Sequence, residues 1–393
     1  MAISAAFPGT PTVALEMLLD IPPLDSYLKG MAAIGAYRLK QAGLWRSGYI
    51  RDTMAHQSHV NWCSSFSGRF PAFAPPGDLC SPRLNLQVRF RTSTEPCDPS
   101  ENVSTVACYT DGSKLESGMA GAGVHFPGGS IEDQVIYLGY YSSVFQAEVL
   151  AITLAAERLA SYVTQYPVNE SVTIYSDSQA AIKAVSALRS RSRMVEQCVD
   201  ALNSLGNLTD VKVQWVKAHV GTTGNETADF LAKEGAMLKC SGPEPYLPIP
   251  YSACKSAVYG WIKEDSKKKW ANLSSCKQTK ELFRQPLNNK GCLKLLALDR
   301  SKLRLTLQIL TGHGNFGSHN KTIGKWVDDT CKRCGLEPET RRHIVEECPC
   351  YLRARISNLD GYLTDLDKII KSLDFSHLAT FLDKTGRLDD FTN

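Results

Sequence analysis

The chain has 393 residues, 43% hydrophobic and 21% charged, which is room for two or three domains with sizeable cores. Its net charge of +4 and pI near 8.3 permit contact with nucleic acid without arguing for it. No run of about 18 apolar residues exists and Met1 to Thr10 has neither a basic region nor a long apolar core, so an intracellular, unsecreted protein of nucleus or cytoplasm, with no membrane partner, is expected. Thirteen cysteines are an odd number and scatter along the chain except near the C-terminus, which points to a reducing compartment rather than a disulfide framework.

The first element is a helix through Val13, Leu15, Leu18 and Leu19, with Thr10 as its N-cap, Pro11 in its first turn and Pro22-Pro23 as its stop. A second helix is expected from Asp25 to Ala42. A helical hairpin this short cannot bury its apolar faces alone and must pack on something else. The proline-rich stretch Phe70 to Pro82 and the polar stretch Thr92 to Ser104 read as parts of a linker over 69–104.

Thr105 to Thr110 has the β-branched and aromatic character of a strand, and Asp111-Gly112-Ser113 reads as the turn that ends it. From Phe145 the apolar positions recur at three and four, predicting a helix over Gln146 to Tyr162 with Glu148 in its first turn. Ser171 to Tyr175 reads as a second strand, followed by Asp177 as the cap of a helix through Ala180, Ile182, Ala184 and Leu188. Arg189, Arg191 and Arg193 then line either a nucleic acid's phosphates or a solvated loop, before a helix from Met194 to Leu205. Val211 to Val216 alternates as a third strand. The loop holding His219 follows, and Gly224 leads into a helix with Glu226 and Asp229.

In open α/β sheets, sites gather beyond the carboxyl ends of strands, so Asp111 and Asp177 are expected to be neighbours despite their separation in sequence. Carboxylates brought together repel unless a cation sits among them, and hard oxygen ligands suit Mg²⁺ or Mn²⁺. Two such ions can activate a water and stabilise the leaving oxygen of a phosphodiester.

Taken in order, Tyr109-Thr110-Asp111-Gly112-Ser113, Gln146-Ala147-Glu148, Ser176-Asp177-Ser178-Gln179, His219 and Gly224 through Asp229 resemble type 1 ribonuclease H. The resemblance implies an α/β, RNase H-like fold with a five-stranded mixed sheet and flanking helices, and hydrolysis of the RNA strand of RNA:DNA hybrids. It further implies that Asp111, Glu148, Asp177 and Asp229 hold two Mg²⁺ or Mn²⁺ ions, that His219 shuttles a proton, and that Ser113, Gln146, Gln179 and Asn225 touch the hybrid. Polar side chains near the 2′-hydroxyl are how a protein tells RNA from DNA.

Beyond the prolines between 243 and 250, a helix is expected from Ser252 to Leu273, whose lysines Lys263, Lys267, Lys268 and Lys269 form a solvated face or a phosphate-contacting stripe. Leu293 to Leu310 reads as one amphipathic helix. Cys331, Cys334, His343 and Cys348 have zinc-ligand types at workable spacing, with a turn at Gly335 and with Cys350 able to stand in for Cys348. A structural Zn²⁺ stapling a helical domain is the expectation. The last 30 residues read as one or two helices.

The N-terminal segment is similar to the tail of the reverse transcriptase in non-long-terminal-repeat retrotransposons of the jockey and I type. There an RNase H domain is followed by a Thr-Gly-His segment, here Thr311-Gly312-His313, and a Cys/Cys/His/Cys cluster. A reverse transcriptase is the further partner this implies. The expected division is therefore 1–68 helical, 69–104 linker, 105–240 RNase H, 241–251 linker, and 252–393 helical with zinc. The rival readings are a non-cleaving nucleic-acid-binding module and a nuclease of the same fold acting on DNA.

Overall fold

The structure, a computed structural model, describes residues 6–42, 77–97, 99, 106–166, 171–218, 221–239, 244, 246–359 and 365–386. Thr105, His219 and the first part of the proline-rich stretch lie outside the described residues. The chain divides into two compact units, Lys29–Gly260 and Met1–Leu28 with Trp261–Asn393. Among the described residues no helix is long and apolar enough to cross a membrane.

The first unit is built on strands β1 (Leu79–Leu84), β2 (Arg91–Ser93), β3 (Val106–Lys114), β4 (Ala120–His125), β5 (Gln134–Gly139), β6 (Val172–Ser176), β7 (Arg189–Ser192) and β8 (Val211–Trp215). Six of them form a mixed sheet in the order β2-β8-β6-β3-β4-β5. Neighbours from β2 to β3 are parallel, and β4 and β5 are antiparallel. Successive residues of a strand face opposite sides. Cys108 of β3 accordingly enters the core with Ala147, Ala151 and Ala155 of the helix Val144–Gln165, while Tyr109 sits with Tyr175, Val216 and Ala228 on the other side.

The segment read as linker is where the sequence misled most. It supplies β1 and β2, and β2 extends the expected five-stranded sheet to six by pairing with β8 through Arg91↔Lys212, Thr92↔Val213 and Ser93↔Gln214. The arginine stretch is likewise a strand: β7 pairs antiparallel with β1, and Arg83 reaches both carboxylate oxygens of Asp200 at 2.8 and 2.6 Å. β2 and β7 read Arg-Thr-Ser and Arg-Ser-Arg-Ser. Strands without apolar residues carry no hydrophobic period, so only their long-range backbone pairing reveals them.

In the second unit the N-terminal helix Thr12–Leu18 packs Leu15 and Leu18 into one core with Leu307, Leu310, Ile344, Phe375, Leu378 and Phe381. This is the partner its apolar face required. Thr10 does not cap it; its hydroxyl donates to the Phe7 carbonyl at 2.7 Å. The helix expected over Leu293 to Leu310 is two, Asn289–Leu296 and Arg300–Thr311, because Asp299 caps the second by accepting from the Lys302 N–H at 2.9 Å. A carboxylate in that position satisfies an orphan donor and starts a new helix. The C-terminal stretch is also two helices, Leu366–Ser372 and Phe375–Lys384.

The helices expected from Asp25 and from Ser252 form as Leu24–Gln41 and Tyr251–Asn272. Lys267 is paired with Glu264 at 2.7 Å, and Lys269 with Asp25 at 2.6 Å and Asp265 at 3.1 Å. Lysines held this way favour the solvated face over a phosphate stripe.

Candidate active site and a cysteine-histidine cluster

The register of the sheet brings the first two acids together. Thr110 of β3 is paired with Ser176 of β6, so Asp111 and Asp177 each stand one residue beyond the same rung of two adjacent parallel strands. Adjacent strands are about 4.8 Å apart, within range of a shared ion. The expected break at Asp111-Gly112-Ser113 does not occur, because β3 runs on to Lys114 and pairs Asp111 with Gly123 of β4. Asp111 is therefore inside a strand, at the end of its parallel pairing only.

Gly112 is there for close approach rather than for a turn. A Cβ on it would lie 2.4 Å from the Glu148 backbone nitrogen and 2.8 Å from Ala147, so the glycine lets the helix Val144–Gln165 press its first turns onto β3 and deliver Glu148. Gly123 does the same on the opposite face, where a Cβ would meet the Ala228 carbonyl at 2.4 Å. That gap seats the helix Thr223–Met237 and brings Asp229 near enough for its charge to act on Asp111.

The result is a cluster in which Asp111, Glu148 and Asp177 can each offer an oxygen within 4.8 Å of the others. Asp111 and Glu148 are each only 6% exposed. Burial, and then the charges of Asp177 and Asp229, push the Asp111 carboxyl up to about 7. Burial, and then Asp111, hold Glu148 well above the usual carboxylate range. Oε2 of Glu148 has no hydrogen-bond partner among the described residues. A buried oxygen left unpaired costs on the order of 1–3 kcal/mol, and a cation would relieve both that and the repulsion. The oxygen-only donor set fits Mg²⁺ or Mn²⁺.

Asp177 is held in place by its neighbours. The Trp215 indole N–H donates to its carbonyl at 3.0 Å, and Asn225 Nδ2 donates to its Oδ2 at 3.3 Å. It does not cap the following helix; Ser178 does, accepting from the Ala181 N–H, and the helix ends at Val185 without reaching Leu188. The carboxylate is thereby left free for the cluster. Asn225 is 3% exposed and its Oδ1 is unpartnered among the described residues. Ser113 and Gln179 are half-buried. His219 lies outside the described residues.

Gln146 sits elsewhere in this scheme than on a substrate face. It is 1% exposed, closes a capping box by accepting from the Ser143 N–H at 3.1 Å, and donates to the Pro248 carbonyl at 2.7 Å. Both ends of the amide are used within the protein, which leaves nothing for a hybrid. Gln146→Ala is expected to lower stability by about 1–2 kcal/mol, from the lost cap and the stranded carbonyl. It should leave the KM for a hybrid within about twofold of wild type, as chemical denaturation and steady-state kinetics would read.

One neighbour of the cluster went unnoticed in the sequence. Lys233 places its ammonium 2.6 Å from Asp229 Oδ2, one helical turn on. The signal was available, since a base four residues after an acid on a helix faces it.

In the other unit, Cys331, Cys334, His343 and Cys348 can each offer a ligand atom within 4.8 Å of the others. Cys331 Sγ and Cys348 Sγ are 4.0 Å apart, and Cys334 Sγ and His343 Nε2 are 3.3 Å apart. Tetrahedral zinc with Zn–S bonds of about 2.3 Å spaces its sulfurs by about 3.8 Å. The turn is closed by the Gly335 N–H donating to the Cys331 carbonyl at 2.8 Å. The Cys334 thiol is drawn down to about 7, chiefly by the Leu336 N–H pointing at its sulfur, which favours the thiolate a metal needs. His343 to Glu347 forms one wide, π-type turn that points the imidazole inward. Cys350 is exposed, with its thiol on the Arg333 carbonyl, so Cys348 and not Cys350 completes the set.

Residues 103–237 match the family model for RNase H, a span that contains all four carboxylates and Lys233. No curated protein matches the chain.

Proposed function

We propose that Asp111, Glu148, Asp177 and Asp229 form the active site of a ribonuclease H that hydrolyses the RNA strand of RNA:DNA hybrids. The observation that carries this is the convergence of three carboxylates on a buried point with an unpaired Glu148 oxygen, inside a region that matches the RNase H family. Two Mg²⁺ or Mn²⁺ ions held by these carboxylates would supply an activated water and charge stabilisation at the leaving oxygen.

The chain's own groups orient and discriminate. Glu148 and Asp111 present their oxygens from a largely dry surface, where electrostatic interactions are strong. Asn225 fixes Asp177 through Nδ2 and keeps an unpartnered acceptor, Oδ1, next to the cluster, which would suit a ribose 2′-OH and select RNA. Ser113 and Gln179 are the further substrate contacts. His219 is assigned the proton shuttle at product release.

The cysteine-histidine cluster is read as a structural Zn²⁺ site with Cys331, Cys334, His343 and Cys348 as ligands. Together with Thr311-Gly312-His313 it supports descent from a retrotransposon polyprotein, with a reverse transcriptase as partner.

The test is a Mg²⁺ titration with labelled hybrid, double-stranded RNA and double-stranded DNA. Cleavage of hybrid at least about a hundredfold faster than of either duplex is expected. Tight, salt-sensitive hybrid binding without product at any Mg²⁺ concentration would make the domain a binding module instead. Preferential cutting of DNA would move it to a different branch of the same fold.

A further inference from the structure

We propose that Lys233 is a built-in counter-cation for Asp229, which one of the two divalent ions must displace, so that the two ions bind this site with graded affinity. The inference rests on the carboxylate site proposed above but concerns its filling rather than its reaction.

The four acids are not equivalent in their present partners. Among the described residues no ion pair joins Asp111, Glu148 or Asp177 to a basic side chain, and Glu148 Oε2 is unpaired. Asp229, although within reach of Asp111, is held by the Lys233 ammonium at 2.6 Å. Both residues lie on the helix Thr223–Met237 at a spacing of four, where facing side chains meet without any cost in backbone geometry. The Lys233 side chain is 47% exposed and Asp229 25%, so the ammonium has solvent to move into and is not locked by packing.

A divalent ion that uses only Asp111, Glu148 and Asp177 meets repelling, partly desolvated oxygens and gains all of their relief. One that needs Asp229 must break an ion pair and then face a displaced ammonium on a flexible stem. An exposed pair of this kind is worth only a modest free energy, so the effect is a bias between the two ions and not a block. In the metal-free domain the ammonium also offsets part of the negative charge crowded around Asp111.

Mn²⁺ titration of the full chain by calorimetry, without nucleic acid, tests this. Wild type should show a tighter and a weaker ion. Lys233→Met, neutral and of similar length, should tighten the weaker step by about three- to tenfold at low ionic strength, with the gain shrinking as salt screens it. Lys233→Arg, which keeps the charge, should restore the wild-type isotherm. In an Asp229→Asn background the Lys233→Met change should have no effect. A weaker step that is unchanged or loosened in a folded Lys233→Met protein would overturn the proposal. The readout is cation binding, so it remains decisive if hybrid cleavage itself fails.

Discussion

Exchanging Asp111 for asparagine is expected to cut hybrid cleavage by at least a factor of about a thousand, the equivalent of about 4 kcal/mol in the barrier. The residue pairs across to β4, faces Asp229 on one helix and meets Glu148 and Asp177 from the other side. In the two-ion site proposed above, removing its charge would weaken the hold on both cations, whereas removing Asp229 would touch one. An Asp111→Asn protein that cleaves hybrid at the wild-type rate would end the assignment.

The same substitution should make the metal-free protein more stable at neutral pH. Burial and the neighbouring acids raise the Asp111 carboxyl to about 7 in the folded chain, whereas an unfolded aspartate titrates near its ordinary value of about 3.9. The folded state thus holds this proton more tightly. The stability it contributes is fully present below about pH 4 and is lost as pH rises toward 7, at a cost of up to a few kcal/mol. Asparagine carries no such charge and is spared the loss. Thermal melts from pH 4 to 8 in chelator should fall with pH for wild type and stay flatter for Asp111→Asn. Saturating Mg²⁺ should restore the wild type by mass action, and two curves of equal slope in chelator would remove this account.

Replacing Cys331 or His343, or stripping zinc with a chelator, is expected to have the largest effect on folding. Cys331 and Cys348 are fully buried and His343 is 1% exposed, in the same core as Ile344, Phe375, Leu378 and Phe381. Short elements hold this region: helices of seven residues at Leu352–Asn358 and at Leu366–Ser372, and a π-type turn at His343–Glu347. Helices of that length do not persist alone in water. Apparent binding free energies of structural zinc are on the order of 10 kcal/mol or more, comparable to the whole stability of a domain. Cys331→Ser should therefore abolish the cooperative melting transition of the unit Met1–Leu28 with Trp261–Asn393, together with stoichiometric zinc in the purified protein. Cys350→Ser should leave both intact, since its thiol only meets a backbone carbonyl. A Cys331→Ser protein that melts like wild type would show that packing alone suffices there.

The residues that converge in both clusters could be picked out from the chain because few residue types can bind a cation and each sits on a locally determined element. Glu148 falls near the start of its helix, Asp177 just past its strand and Asp111 where the parallel pairing of β3 stops, and Cys331, Cys334, His343 and Cys348 lie at spacings that turns and single helical turns impose. What sequence could not supply were relations between distant segments. Asp-Gly-Ser looked like a turn, but whether Gly112 bends or continues a strand depends on the helix pressed against it. Gln146 looked available until the Pro248 carbonyl, far along the chain, took its amide. The polar strands β2 and β7 exist through backbone hydrogen bonds to β8 and β1, which leave no mark in side-chain pattern. Local composition decided which atoms are able to bind a cation, and tertiary pairing decided which of them meet, because burial, register and close approach are properties of two segments and never of one.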